Sequence, residues 1–182
     1  MTTAAPNETW PAVFLDRDGT IMRDVNYCAD PAKVEIFPGV TQALQQLKSA
    51  GFKIIVITNQ SGLGRGYFSD ADYRAVEAEV ARKVGPGLID ATYFCPDHPE
   101  AKSHRRKPEP KMVFEAEREH RLDRARSFFV GDKAIDAACG RNAGVRTILV
   151  QNGAERHHNH SLADWIVNDF AAAAEVILRH AI

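Results

Sequence analysis

The sequence predicts an α/β fold, a Rossmann-like three-layer sandwich with a central parallel sheet. Short apolar runs alternate with longer segments of helical period, which is the pattern of repeated βα units. Several of those runs are apolar at consecutive positions, as expected of strands covered by helices on both faces.

The strands expected in order are Ala12–Leu15, Ile54–Ile57, Ala91–Phe94, Ser127–Val130, Thr147–Val150 and Trp165–Val167. Between them, Val40–Ala50 reads as a helix ended by Gly51, and Asp70–Val84 as one that stops at Gly85-Pro86-Gly87. Met112–His120, Ala134–Ala143 and Phe170–Arg179 complete the helices, while Pro96–Lys111, rich in proline and charge, reads as a surface loop. A chain of 182 residues, 45% hydrophobic and 26% charged, suits one compact core. Residues 1–182 therefore read as a single domain with 1–10 as a flexible N-terminus, without internal repeat or inserted second domain.

The formal net charge of -1 balances 23 basic against 24 acidic side chains, so no overall field draws the protein to nucleic acid or a membrane surface. Any phosphate binding must be local. The cysteines Cys28, Cys95 and Cys139 are too few and odd in number for a disulfide framework, which points to the cytoplasm. No secretion signal or apolar span of bilayer length is apparent.

The chemistry is concentrated where strands end. The first strand runs into Asp16-Arg17-Asp18-Gly19-Thr20, sending two carboxylates to the C-terminal sheet edge, where open α/β sheets place their ligands. The second ends in Thr58-Asn59-Gln60-Ser61, a hydroxyl and two amides suited to phosphoryl oxygens. The fourth ends in Gly131-Asp132-Lys133, with Asp136 on the opening turn of the next helix, and Arg105-Arg106-Lys107-Pro108 precedes the helix near Met112. Each segment alone has an ordinary explanation as a turn or a solvated charge run; their joint placement does not.

In these residues the chain resembles the haloacid dehalogenase superfamily. Its four motifs match Asp16-x-Asp18-Gly19-Thr20, Thr58, Lys107, and Gly131-Asp132 with Asp136, over roughly Val13 to Val150. Within it, Phe14-Leu15-Asp16-Arg17-Asp18-Gly19-Thr20, Thr58-Asn59-Gln60-Ser61-Gly62 and Arg106-Lys107-Pro108 look like the capless heptose-bisphosphate phosphatases and their relatives the histidinol-phosphatases.

The resemblance implies a magnesium-dependent phosphoric monoester hydrolase. Asp16 would be the nucleophile, Asp18 the acid and base, Thr58 a donor to the phosphoryl group and Lys107 its cation. Magnesium would be held by Asp16, the Asp18 carbonyl and Asp132, with Asp136 in support. Asn59, Gln60, Ser61, Arg106 and Lys133 would meet the substrate, and the loop Asp24 to Tyr27 would form part of the rim. The expected partner is a small phosphorylated sugar or metabolite, and the expected state is a monomer. The subfamily also commonly binds a structural zinc through a Cys and a His, here Cys95 and His98, plus a Cys-x-Cys. Ser103 and Arg105 stand at the latter positions, so zinc is not expected, even with His104 nearby.

Other signals are discounted. Gly62-Leu63-Gly64-Arg65-Gly66 fails the dinucleotide spacing because Tyr67 stands where the third glycine belongs, and it reads as a flexible turn. His157, His158 and His160 read as a solvated loop, and Cys139 as a core residue. A phosphomutase would need a closing lid, and a non-catalytic sugar-phosphate sensor would be expected to lack Asp16 or Asp18. A phosphatase acting on heptose bisphosphate, with histidinol phosphate as the alternative, is the expected activity.

Overall fold

The computed structural model describes residues 9–152 and 162–181. Six parallel strands form one sheet in the order β3-β2-β1-β4-β5-β6. They are β1 (Trp10–Leu15), β2 (Lys53–Asn59), β3 (Ala91–Cys95), β4 (Leu122–Gly131), β5 (Arg146–Val150) and β6 (Trp165–Val167). The helices are α1 (Val40–Ser49), a short α2 (Ser61–Gly64), α3 (Asp70–Val84), α4 (Lys111–His120), α5 (Ala134–Ala143) and α6 (Phe170–Arg179).

The consecutive apolar runs divide between two cores as strand geometry requires, because successive side chains point to opposite faces. Val13, Leu15, Ile54 and Val56 enter the core shared with α1, α3 and α6. Ala12, Phe14, Ile55 and Ile57 enter the one shared with α4 and α5. Each strand is thus a two-sided wedge, and the three layers follow.

Trp10 belongs to β1 and pairs with Leu122, which corrects the expectation that the flexible N-terminus reaches residue 10. Residues 1–8, and His157, His158 and His160, lie outside the described residues. β4 starts five residues before the expected Ser127, in a stretch whose register with β1 shifts between Pro11 and Val13. Ser127 Oγ accepts the Ala12 N–H at this irregularity, replacing the ladder partner that the shift removes. At the start of α3, Ser69 and Asp72 form a reciprocal capping box that satisfies two backbone donors.

The strand order reverses direction at β1 and β4, whose C-terminal ends define the crevice of an open α/β sheet. β1 runs directly into Asp16, and β4 into Asp132. The fold therefore assigns the first two acidic motifs to one place before any side chain is considered.

Candidate active site

Asp16 is 6% exposed, and its Oδ1 lies 2.7 Å from Lys107 Nζ. The same ammonium lies 2.7 Å from Asp136 Oδ1. Burial alone would lower the Lys107 pKa, but the carboxylates of Asp136 and Asp16 outweigh it and hold the ammonium above its ordinary range. Lys107 therefore stays charged in a dry setting. Its backbone is fixed by Asn59, whose carboxamide accepts the Lys107 N–H at 3.1 Å and donates to the Lys107 carbonyl at 3.3 Å.

Asp132 completes a buried acidic group: Asp16, Asp132 and Asp136 offer oxygens that all lie within 4.8 Å of one another. Burial first, and then the charges of Asp16 and Asp136, push the Asp132 carboxyl up to about 8. Burial also raises Asp16, against the pull of Lys107. Such an all-oxygen set, short of positive charge, fits a hard divalent cation. Gly19 makes room for it: its φ is +85°, and a Cβ there would stand 2.3 Å from Asp132 Oδ2. Asp136 is also the N3 partner of the α5 capping box, accepting the Lys133 N–H at 3.0 Å.

Asp18 sits at the pocket mouth with its side chain 18% exposed. Gln60 Nε2 donates to Asp18 Oδ2 at 2.8 Å and to Thr58 Oγ1 at 2.9 Å, so the Thr58 hydroxyl keeps its own hydrogen free to donate. From behind, Arg17 donates from Nε to Asp18 Oδ2 at 3.1 Å and from Nη2 to Oδ1 at 3.2 Å. Arg17 was not singled out from the sequence as a site residue. Lying between two acids on a strand end, it reads as the side chain that points away, and its role depends on a partner from α3 that no local spacing reveals.

A pocket of about 240 Å³ opens over these groups. Asp24, Tyr27, Thr58, Ser61, Arg106 and Lys133 line it together with Asp16, Asp18, Asn59, Gln60, Lys107 and Asp136. The residues predicted from four separate segments thus converge. Asp132 lies beneath, within reach of Asp16. Asn59 and Gln60 line the pocket, but their amides are engaged with Lys107, Asp18 and Thr58, so they frame the site. Across the rim, Lys133 Nζ meets Asp24 Oδ2 at 3.0 Å. Burial opposes charge on both, yet the Asn26 N–H and Lys133 lower the Asp24 pKa, while Asp132 and Asp24 raise that of Lys133. Arg106 Nη1 is buried without a hydrogen-bond partner among the described residues.

The segment read as a flexible glycine turn is packed instead. Ser61–Gly64 forms the helical turn α2, and a Cβ on Gly62 would stand 2.1 Å from Phe68 Cε1. One on Gly64 would stand 2.7 Å from the Pro96 carbonyl, which accepts the Gly64 N–H at 2.9 Å. These glycines serve close packing of α2 against the loop after β3. In that loop, Cys95 Sγ lies 3.6 Å from Asp97 Oδ2 and 3.8 Å from Ser103 Oγ, and His98 Nδ1 accepts the Glu100 N–H at 3.3 Å.

The HAD-hydrolase-like family model matches residues 104–173, which include Lys107, Asp132 and Asp136. A D-glycero-D-manno-heptose-1,7-bisphosphate 7-phosphatase of Thermosynechococcus vestitus is 40% identical over 93% of this chain and 96% of its own. The D-glycero-beta-D-manno-heptose-1,7-bisphosphate 7-phosphatase of Escherichia coli K12 is 34% identical over 92% and 93%. Among solved structures, the D,D-heptose 1,7-bisphosphate phosphatase of B. bronchiseptica, complexed with magnesium and phosphate, superposes with a TM-score of 0.85. It is 32% identical and covers 94% of this chain and 99% of its own. With this likeness spanning nearly the whole of each chain, the protein belongs to the heptose-1,7-bisphosphate 7-phosphatase family of haloacid dehalogenase-like hydrolases.

Proposed function

We propose that this protein is a magnesium-dependent phosphatase that hydrolyses the 7-phosphate of D-glycero-D-manno-heptose 1,7-bisphosphate through an aspartyl-phosphate on Asp16. The observation that carries the reading is Asp16 itself, a buried carboxylate at the end of the central strand with Lys107 Nζ at 2.7 Å and two further acids beside it. The names of the relatives supply the substrate.

A phosphate dianion approaching a carboxylate is repelled by about 4 kcal/mol per unit charge pair at ~4 Å and an effective dielectric of ~20. Lys107 offsets part of that. Magnesium would be held by Asp16, the Asp18 carbonyl and Asp132, with Asp136 in support, and when bound it supplies positive charge at the phosphoryl oxygens. Asp16 attacks phosphorus in line, the bond from phosphorus to the sugar oxygen breaks, and Asp18 gives its proton to the departing alkoxide. Asp18 then takes a proton from the water that attacks the phosphoenzyme, releasing phosphate and restoring Asp16. Thr58 donates to the transferring group, Ser61 lines the same cradle, and Asn59 and Gln60 act through the groups they hold. Arg106, whose buried Nη1 has no partner among the described residues, and Lys133 contact the rest of the substrate beside Asp24 and Tyr27.

The test is phosphate release from heptose 1,7-bisphosphate and from histidinol phosphate, with magnesium or with chelator. We expect magnesium-dependent turnover of the heptose substrate, none with Asp16→Asn, and severe slowing with Asp18→Asn. Release from neither compound by the wild type would overturn the reading. The same proposal has the protein acting as a monomer, and size-exclusion chromatography checks that. It also places it in the cytoplasm, consistent with three unpaired cysteines; fractionation is the check. No described helix is long and apolar enough to cross a membrane. Zinc has no part in the proposal: Ser103 and Arg105 stand where the subfamily's Cys-x-Cys would supply two of the four ligands of a closed site.

A further inference from the structure

Resting on the phosphatase reading, we propose that Arg17 and Glu77 are positioning residues for leaving-group protonation: a buried relay running from α3 through Arg17 fixes the Asp18 carboxyl against the departing oxygen. Arg17 is 1% exposed, which is exceptional for an arginine and requires that its charge be matched. It is matched twice. One edge of the guanidinium grips both Asp18 oxygens, with Nη2 3.0 Å from Oδ2. Its Nη1 donates to Glu77 Oε1 at 2.6 Å, and the group lies over the Tyr73 ring with its carbon 5.8 Å from the centroid.

Tyr73 and Glu77 are one helical turn apart on α3, so both address the same guanidinium. Tyr73 is itself clamped by Phe94 of β3, at 4.4 Å between ring centroids. Asp18 thereby has its torsions fixed by a planar fork across both oxygens and by Gln60 Nε2, 2.8 Å from the same Oδ2. A general acid contributes only when its proton is aimed at the reacting atom, and misplacement by about 1 Å can cost on the order of 10²-fold. Lysine cannot substitute for the fork, since its single ammonium lacks the two parallel donors.

Leaving-group chemistry separates this role from a structural one. An alkyl phosphate expels an alkoxide and needs the proton; p-nitrophenyl phosphate expels a stable anion and hardly does. The experiment measures kcat/KM, which covers steps up to loss of the leaving group, for glycerol phosphate and p-nitrophenyl phosphate with magnesium. The proteins are wild type, Arg17→Lys, Arg17→Gln and Glu77→Gln. With Arg17→Lys or Arg17→Gln, we expect the alkyl substrate to lose about 10²-fold and the aryl substrate less than about 10-fold. Glu77 is 20% exposed and Glu77→Gln keeps an acceptor for Nη1, so that variant folds even if removal of Arg17 prevents folding; a smaller loss, again confined to the alkyl substrate, is expected. Equal losses on both substrates, or none in Glu77→Gln, overturn the relay. A wild type inactive on both, and on the heptose substrate, overturns the phosphatase reading along with it.

Discussion

Asn59 holds the Lys107 backbone from two sides, accepting its N–H at 3.1 Å and donating to its carbonyl at 3.3 Å. A residue at the end of β2 thus sets the place of a cation that arrives on a loop 48 residues later and ends 2.7 Å from Asp16. Asn59→Ala would free that backbone while leaving every charged group in place. We expect kcat to fall by roughly 10- to 10²-fold, as in other losses of orientation, and stability by about 1–3 kcal/mol for the unmade hydrogen bonds. Steady-state kinetics beside urea unfolding checks both; unchanged kcat would mean that Lys107 needs no such support.

Lys107 is the cation shared by Asp16 and Asp136, and its removal strands two buried carboxylates. Lys107→Met should cost at least about 3 kcal/mol of stability and nearly all activity. In Lys107→Met with Asp136→Asn, one stranded charge is gone, so melting temperature should recover while activity does not. A recovery of activity in the pair would show that Lys107 serves only to neutralise Asp136.

Asp132 makes the pH dependence of the metal-free protein a test of the site. Its folded pKa, about 8, is above the ordinary value of 3.8, so between those limits the folded state holds a proton that the unfolded state has lost. Stability from this group is therefore full below pH ~4 and declines as pH rises toward 8. In chelator, Asp132→Asn should melt higher than wild type at pH 8, by on the order of 10 °C at about 2–4 °C per kcal/mol, and the difference should shrink toward pH 5. Added magnesium should raise the melting temperature of wild type far more than that of the variant. Parallel melting curves across pH, with equal response to magnesium, would remove Asp132 from the cation site.

Most of the strands and the acidic motifs were legible because their signals are local. Ile54, Ile55, Val56 and Ile57 declare a two-sided strand by themselves, and Asp16 and Asp132 follow strands whose ends any parallel sheet must align. What escaped is non-local. The start of β4 rests on pairing with Trp10 and Pro11 through an irregular register, which no periodicity in Leu122–Arg126 announces. Gly62 and Gly64 look like flexibility in the sequence, but Phe68 and Pro96 turn them into sites of close contact. Asn59 and Gln60 carry the right groups for a phosphate cradle, and only the distances reveal that those amides also hold Lys107, Asp18 and Thr58.

The loop after β3 gives the last test, because it delivers Arg106 and Lys107 to the pocket and carries Cys95 and His98, with Ser103 and Arg105 where the subfamily has its Cys-x-Cys. Its fastenings are ordinary ones: Arg105 Nη2 lies 3.0 Å from Glu115 Oε2 on α4, Ser103 Oγ accepts the Arg105 N–H at 3.2 Å, and the Pro96 carbonyl accepts from Gly64. A structural zinc would contribute on the order of 10 kcal/mol, so its removal could not pass unnoticed. With magnesium present, a zinc-selective chelator should leave both the melting temperature and turnover unchanged, and elemental analysis should find far less than one zinc per chain. Breaking the loop's ion pair should matter: Arg105→Ala is expected to raise KM for the heptose substrate and lower the melting temperature by about 1–3 °C, at the ~0.5–1 kcal/mol of a half-exposed ion pair. Stoichiometric zinc, or collapse on chelation, would show that Cys95 and His98 still hold a metal with ligands outside this set.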